Sequence, residues 1–191
     1  MKLTYIDKIE AARYMGHRGS VSPQLYEILT QYEKLLIESI EPVYTFRIDS
    51  IIREGDNITA PHYLSGDSIA EHLKGCDRVI TLAATLTAAA DRLIRTAETC
   101  GMTEALALDA LCGAAIEQVL DIAEEEIFSG FECSYRTTRY SPGYGDFPLE
   151  NQKTLLRHLD AYRKIGLTVT DAHTMIPTKS VTAVIGFNHI A

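Results

Sequence analysis

The chain has 191 residues, enough for one domain around a single core, and its 46% apolar and 23% charged content is that of a soluble globular protein. A net charge of −8 argues against a nucleic-acid backbone as partner. No stretch approaches the roughly 20 apolar residues of a membrane helix. The opening MKLTYIDKIE is broken by acids where a signal peptide would be apolar, so a cytoplasmic setting without a membrane is expected.

In chain order, Asp7 before KIEAARYM predicts an N-capped short helix ending near Gly16. Ser22-Pro23 predicts a second helix, with Ser as cap and Pro at the first helical position. Its stripe is Leu25, Ile28, Leu29, Tyr32, Leu35, Leu36 and Ile40, and Pro42 closes it. VYTFRIDSII over 43–52 alternates enough for a half-buried strand. A short strand around 57–64 and a helix over about 66–75 follow, the helix opened by Ser65 or Asp67. RVITLAA over 78–84 suits a strand buried on both faces. Thr87 is positioned to cap the next helix, which stops at Gly101, and Thr103-Glu104 opens the longest one, ending before Gly130. The core stripe of that long helix is Leu108, Leu111, Cys112, Ala115, Ile116, Val119, Ile122, Ala123 and Ile127. A strand then runs into a loop rich in Pro, Gly and Tyr, and a helix at about 149–163 puts Leu155, Leu156, Leu159 and Tyr162 on one side. Gly166 ends it, and IGLTVT and TMIPTKSVTAVIGF give two more strands. This order, with few clean βαβ units, predicts an α+β fold, a mainly antiparallel sheet with flanking helices. One domain is expected over 1–191, in which the N-terminal helices 1–42 could form an arm.

The cysteines at 76, 100, 112 and 133 form no CxxC pair, so inert thiols are expected rather than redox or metal chemistry. Charge is divided unevenly: residues 1–133 carry 11 basic and 22 acidic side chains, a balance of −11, and residues 134–191 carry 7 and 4, a balance of +3. An anionic group would be electrostatically welcome in the basic remainder.

That remainder holds RYSPGYGDFP, 139–148. Pro142 fixes one backbone angle, and Gly143 and Gly145 permit conformations and close approaches closed to other residues. Arg139 offers a planar fork of donors to a carboxylate, and Tyr140 and Tyr144 offer aromatic faces with a polar tip. By spacing alone the segment reads rather as a plain turn between strand and helix. Asp171-Ala172-His173 lacks the downstream glycines of a cobalamin-ligating motif, and His173 reads as a polar residue at a strand end. No Gly-rich phosphate loop is present.

The run from Arg139 through Pro142-Gly143-Tyr144 and Pro148, then Gly166, Thr170-Asp171, Met175-x-Pro177 and Ser180-Val181-Thr182, resembles the activation domain of vitamin B12-dependent methionine synthase, most clearly over 139–191. The resemblance implies that fold and an S-adenosylmethionine-binding module. Such a module supports reductive methylation of cobalamin held by a separate methionine synthase or other corrinoid protein, with an electron donor such as flavodoxin. It implies a component of a methyltransferase activity in methionine biosynthesis rather than a complete enzyme, with no catalytic residue and no metal ligand of its own. By the same resemblance Arg139 meets the methionyl carboxylate, Ser141, Gly143 and Tyr144 line the pocket, and Glu117 faces the ammonium group. Glu117 shares a helix face with Asp121 and Glu124, so a solvated face is the competing expectation. The family domain runs on beyond the Ser-Val-Thr strand and adds a further tyrosine there. The loop also reads YGDFP where small residues and a cysteine are usual. A non-catalytic regulatory or binding module is therefore the alternative function.

Overall fold

Asp7 accepts hydrogen bonds from the amides of Ile9 and Glu10 and so opens α1, Lys8–Tyr14. In the same way the Ser22 hydroxyl accepts from Leu25 N and opens α2, Pro23–Ser39. The computed structural model describes residues 1–189 and divides into two compact units. The first comprises 1–43, 84–122 and 176–180; the second comprises 44–83, 123–175 and 181 onward.

The first unit is helical. Beside α1 and α2 it holds α4, Thr87–Cys100, and most of α5, Met102–Phe128. Leu108, Leu111, Cys112, Ala115, Ile116 and Val119 of α5 are buried along the expected stripe. Gly113 lets Tyr14 lie flat on that helix, since a Cβ there would sit 3.1 Å from the Tyr14 ring. The segment 176–180 is pinned by Lys179 Nζ on Asp109 at 2.7 Å and by Thr178 donating to Asp91 from its amide. Thr87 does not cap α4. It lies inside the helix at φ 66°, Leu86 holds the cap position, and Thr85 Oγ1 accepts from Thr87 N at 3.0 Å.

The second unit carries a four-stranded sheet in the order β1-β4-β8-β5, with β1 Val43–Ser50, β4 Arg78–Thr85, β5 Cys133–Arg136 and β8 Ser180–His189. Neighbours run antiparallel. Ile51 N, at the end of β1, donates to Asp77 O just before β4, and Asp77 N donates to the Asn188 side chain near the end of β8. β5 pairs β8 with Cys133 opposite His189 and Arg136 opposite Phe187. β4 has every residue after Arg78 buried, as a two-sided apolar strand requires. The expected strand at 57–64 is shorter: β3, Asn57–Ala60, closes a hairpin with β2, Ile52–Glu54. On one side a core forms from Tyr63, Leu64, Ile69, Leu73, Val79, Phe147, Leu155 and Val184. A second cluster joins Ala83, Leu156, Leu159, Ala161 and Leu167.

Two expectations change here. The helix at 149–163 is two pieces, α6 Asn151–Leu159 and α7 Ala161–Ile165, broken at Asp160 in the left-handed region at φ 53°. The break turns Tyr162 outward, to 73% exposure, while Leu155, Leu156 and Leu159 stay buried. The run 174–187 is also two strands, β7 Met175–Ile176 and β8, separated by Pro177. β7 pairs β6, Thr168–Val169, and His173 sits in the turn between them at φ 60°, its Nδ1 buried without a hydrogen-bond partner.

Candidate ligand loop of the second unit

The loop 139–148 leaves the sheet by one last rung. Tyr140 and Val184 exchange both backbone hydrogen bonds, 2.9 and 2.8 Å, which fixes the direction in which Arg139 and Ser141 depart. The bend then closes on itself: Tyr144 N donates to Ser141 O at 3.1 Å, Phe147 N to Tyr144 O at 3.0 Å, and Gly143 N to Phe147 O at 2.8 Å. Gly143 at φ 94° and Gly145 at φ 55° supply the two left-handed residues that this path needs. Pro142 and Phe147 are buried and act as footings, whereas Gly143, Tyr144, Gly145 and Asp146 are exposed.

Arg139 is half-buried at the head of the bend, and its Nη1 lies 3.2 Å from Glu124 Oε2. Arg136 reaches the other oxygen of the same carboxylate at 3.6 Å. Glu124, at 17% side-chain exposure, is thus a clamped residue and not part of a solvated face. Tyr144 is 59% exposed, its ring edge-on to Tyr140 at 5.7 Å between centroids. Tyr140 in turn lies between Tyr144, Phe147 at 6.3 Å and His72 at 4.6 Å. Ser141 is half-buried. Among the described residues, and apart from its chain neighbours, a Cβ built on Gly143 would meet only Leu149 Cδ1, at 3.6 Å, so backbone at that point is open to close approach.

Four of the five expected residues, Arg139, Ser141, Gly143 and Tyr144, therefore share one short bend. Glu117 belongs to α5 within the other unit, half-buried. There it faces Tyr14, whose hydroxyl is held above its ordinary range by burial, then Glu10, then Glu117. Sequence reasoning did not bring Glu124, His72 or Ser68 to the loop, and gave Asp146 within it no role. Glu124 stands 15 positions before Arg139, and the other partners involve spacings with no local pattern to reveal them.

α3, Asp67–His72, lies against the loop. Its expected caps, Ser65 and Asp67, do not serve, because Gly66 is the cap residue and has no side chain to offer. Asp146 Oδ2 accepts from Asp67 N and Oδ1 from Ser68 N, both at 2.8 Å. Those two amides, Ser68 first, hold the Asp146 carboxyl below its ordinary value of 3.8. A separate groove of about 320 Å³ is lined by Lys153, Leu156, Arg157, Tyr162 and Leu167, and none of the expected site residues borders it.

Among the described residues no group of three or more His, Cys, Asp and Glu could hold a metal ion, and no helix is long and apolar enough to cross a membrane. All four cysteines are free thiols. Comparison with curated proteins gives no match. Among solved structures the chain is similar to the "Crystal Structure of the MetH Reactivation Domain bound to AdoHcy", with a TM-score of 0.71 and 14% identity. The alignment covers 95% of this chain and 74% of that one, and at such identity it shows the fold, the α+β arrangement expected from sequence. A family model described as "Vitamin B12 dependent methionine synthase, activation domain" matches residues 77–191, the last two of which lie outside the described structure. That stretch is well over half of the sequence, and this chain belongs to the family of activation domains of vitamin B12-dependent methionine synthases.

Proposed function

We propose that the chain binds S-adenosylmethionine along the bend 139–148 and serves the reductive methylation of a cobalamin carried by a partner methionine synthase. The observation that carries this reading is a half-buried guanidinium at the head of a rigid bend whose aromatic tip and glycine backbone are exposed. A methionyl carboxylate suits the planar donors of Arg139, a flat ring suits the face of Tyr144, and Ser141 and Gly143 offer backbone at close range. The similar structure was solved with AdoHcy, the demethylated form of that donor, which supports the same ligand class.

The bound donor supplies an electrophilic methyl whose leaving thioether is neutral, so this chain has positioning to do rather than acid–base work. The electron for reduction would come from a flavodoxin-like protein, in the cytoplasm and within methionine biosynthesis. A second reading, a regulatory or binding module without a donor site, is favoured by Glu124, which engages the same guanidinium.

Calorimetric titration with S-adenosylmethionine separates the two. Saturable heat is expected, and Arg139→Ala should weaken binding by about 2 kcal/mol, roughly 30-fold. Methylcobalamin formation, followed by its absorbance with a cobalamin-loaded synthase lacking this region, should fall in step. No heat with or without that partner would favour the second reading, and an unchanged affinity for Arg139→Ala would remove Arg139 from the site.

A further inference from the structure

α3 touches the ligand loop on both flanks. On the entering side, His72 Nε2 meets Thr138 O at 2.9 Å, and the His72 ring packs on Tyr140. On the leaving side, Asp146 accepts from the first two amides of α3, and Asp146 N donates in return to the Ser68 hydroxyl at 3.4 Å. Between these points the surfaces interlock closely. A Cβ on Gly66 would lie 2.9 Å from Asp146 O, and one on Gly145 would lie 2.7 Å from Ser68 Cβ and 2.8 Å from the Tyr140 hydroxyl. Both glycines also take left-handed angles, 119° and 55°. Fit from both sides, with reciprocal hydrogen bonds, makes the two segments one rigid piece.

The geometry points to Asp146 as the positioning residue of the ligand loop: by capping α3 from 78 residues away it holds 139–148 in the shape that receives the donor. It touches no ligand in this scheme and acts through α3. The physical gain is pre-organisation, since a loop fixed before binding has less conformational entropy left to lose when the ligand arrives. Asp146 accepts one amide on each carboxylate oxygen, and Asn offers a single acceptor, so the scheme separates Asp146→Asn, which keeps one of the two cap bonds, from Asp146→Ala, which deletes both. Ser68→Ala removes only the returning bond and should be milder.

The donor-affinity arm rests on the function proposed above; the loop-order arm does not. Hydrogen exchange of the unliganded protein should show the amides of Asp67, Ser68, Gly143 and Phe147 exchanging roughly tenfold faster in Asp146→Ala, with an intermediate increase of about threefold in Asp146→Asn. Calorimetry should show S-adenosylmethionine binding about tenfold weaker in Asp146→Ala and restored within about threefold in Asp146→Asn. Unchanged exchange at Gly143 and Phe147 in Asp146→Ala overturns the proposal, as does Asp146→Asn behaving like Asp146→Ala. Should the wild-type protein give no binding heat, the donor reading fails, and the exchange comparison still decides whether Asp146 orders the loop.

Discussion

Phe147 is the footing of the ligand loop, and its truncation gives a measurable account of what the bend rests on. The ring is 1% exposed and packs in the core of Tyr63, Leu64, Ile69, Leu73, Val79, Leu155 and Val184. Phe147→Ala forfeits about 1.5–3 kcal/mol of transfer free energy. The vacated volume, roughly 80 Å³ at about 24 cal/mol per Å³, adds about 2 kcal/mol. The sum, about 4 kcal/mol, is about a quarter or more of the stability of an ordinary domain. Phe147→Leu keeps most of the volume and should cost about 1.5 kcal/mol. The backbone bonds of Phe147 to Gly143 and Tyr144 need no side chain, so the loss is one of packing. Because the chain has no tryptophan, far-ultraviolet circular dichroism in urea is the convenient assay. With a slope near 2 kcal/mol per molar, the Ala midpoint should fall by about 2 M at constant slope. A loss below about 1 kcal/mol, or equal losses for Ala and Leu, would refute the claim that the loop is anchored by a filled core site.

Two further predictions concern titratable groups away from the loop. Burial pushes the Cys112 thiol up to about 12, while Cys100 is exposed on α4. An alkylating reagent at pH 8 should therefore modify Cys100 in the native protein and Cys112 only on unfolding, as peptide mass spectrometry would show; rapid native labelling of Cys112 would contradict its place in the core. The Tyr63 hydroxyl is likewise pushed to about 12, chiefly by burial, and lies 2.6 Å from Thr81 Oγ1. A folded value above the unfolded one near 10 means that this group's contribution is complete below pH 10 and is lost as pH rises through about 12. Urea midpoints of wild type and Tyr63→Phe should converge over that interval, and parallel pH profiles would exclude Tyr63 as the source.

The helices were legible wherever their instructions are local. Asp7 and Ser22-Pro23 carry cap and first turn within four residues, and Gly101 and Gly166 mark stops that the backbone obeys. Where the deciding contact is remote, sequence reading fails for a physical reason. No glycine or proline announces the break at Asp160, so helical spacing alone groups Tyr162 with Leu155, Leu156 and Leu159. Thr87 looks like a cap by residue type, yet the hydroxyl of Thr85 accepts its amide and the cap position passes to Leu86. The start of α3 is satisfied by Asp146 across 79 positions, which no window of local sequence contains. The bend itself was visible, because Pro-Gly-Tyr-Gly dictates backbone angles directly. The pairing of Arg139 with Glu124 was not, since it depends on where α5 ends relative to β5.

Glu124 shared between two guanidiniums has an effect on how the helix end could respond to an incoming anion. Three acids in a row, 124–126, stand near the negative pole of α5, where they oppose the helix dipole. If a ligand carboxylate drew Arg139 aside, Glu124 would still face Arg136, itself seated over the Phe128 ring at 4.8 Å. The exchange would be a change of partner and would strand no charge, so engaging the loop would spare the helix end the penalty of a lone half-buried carboxylate.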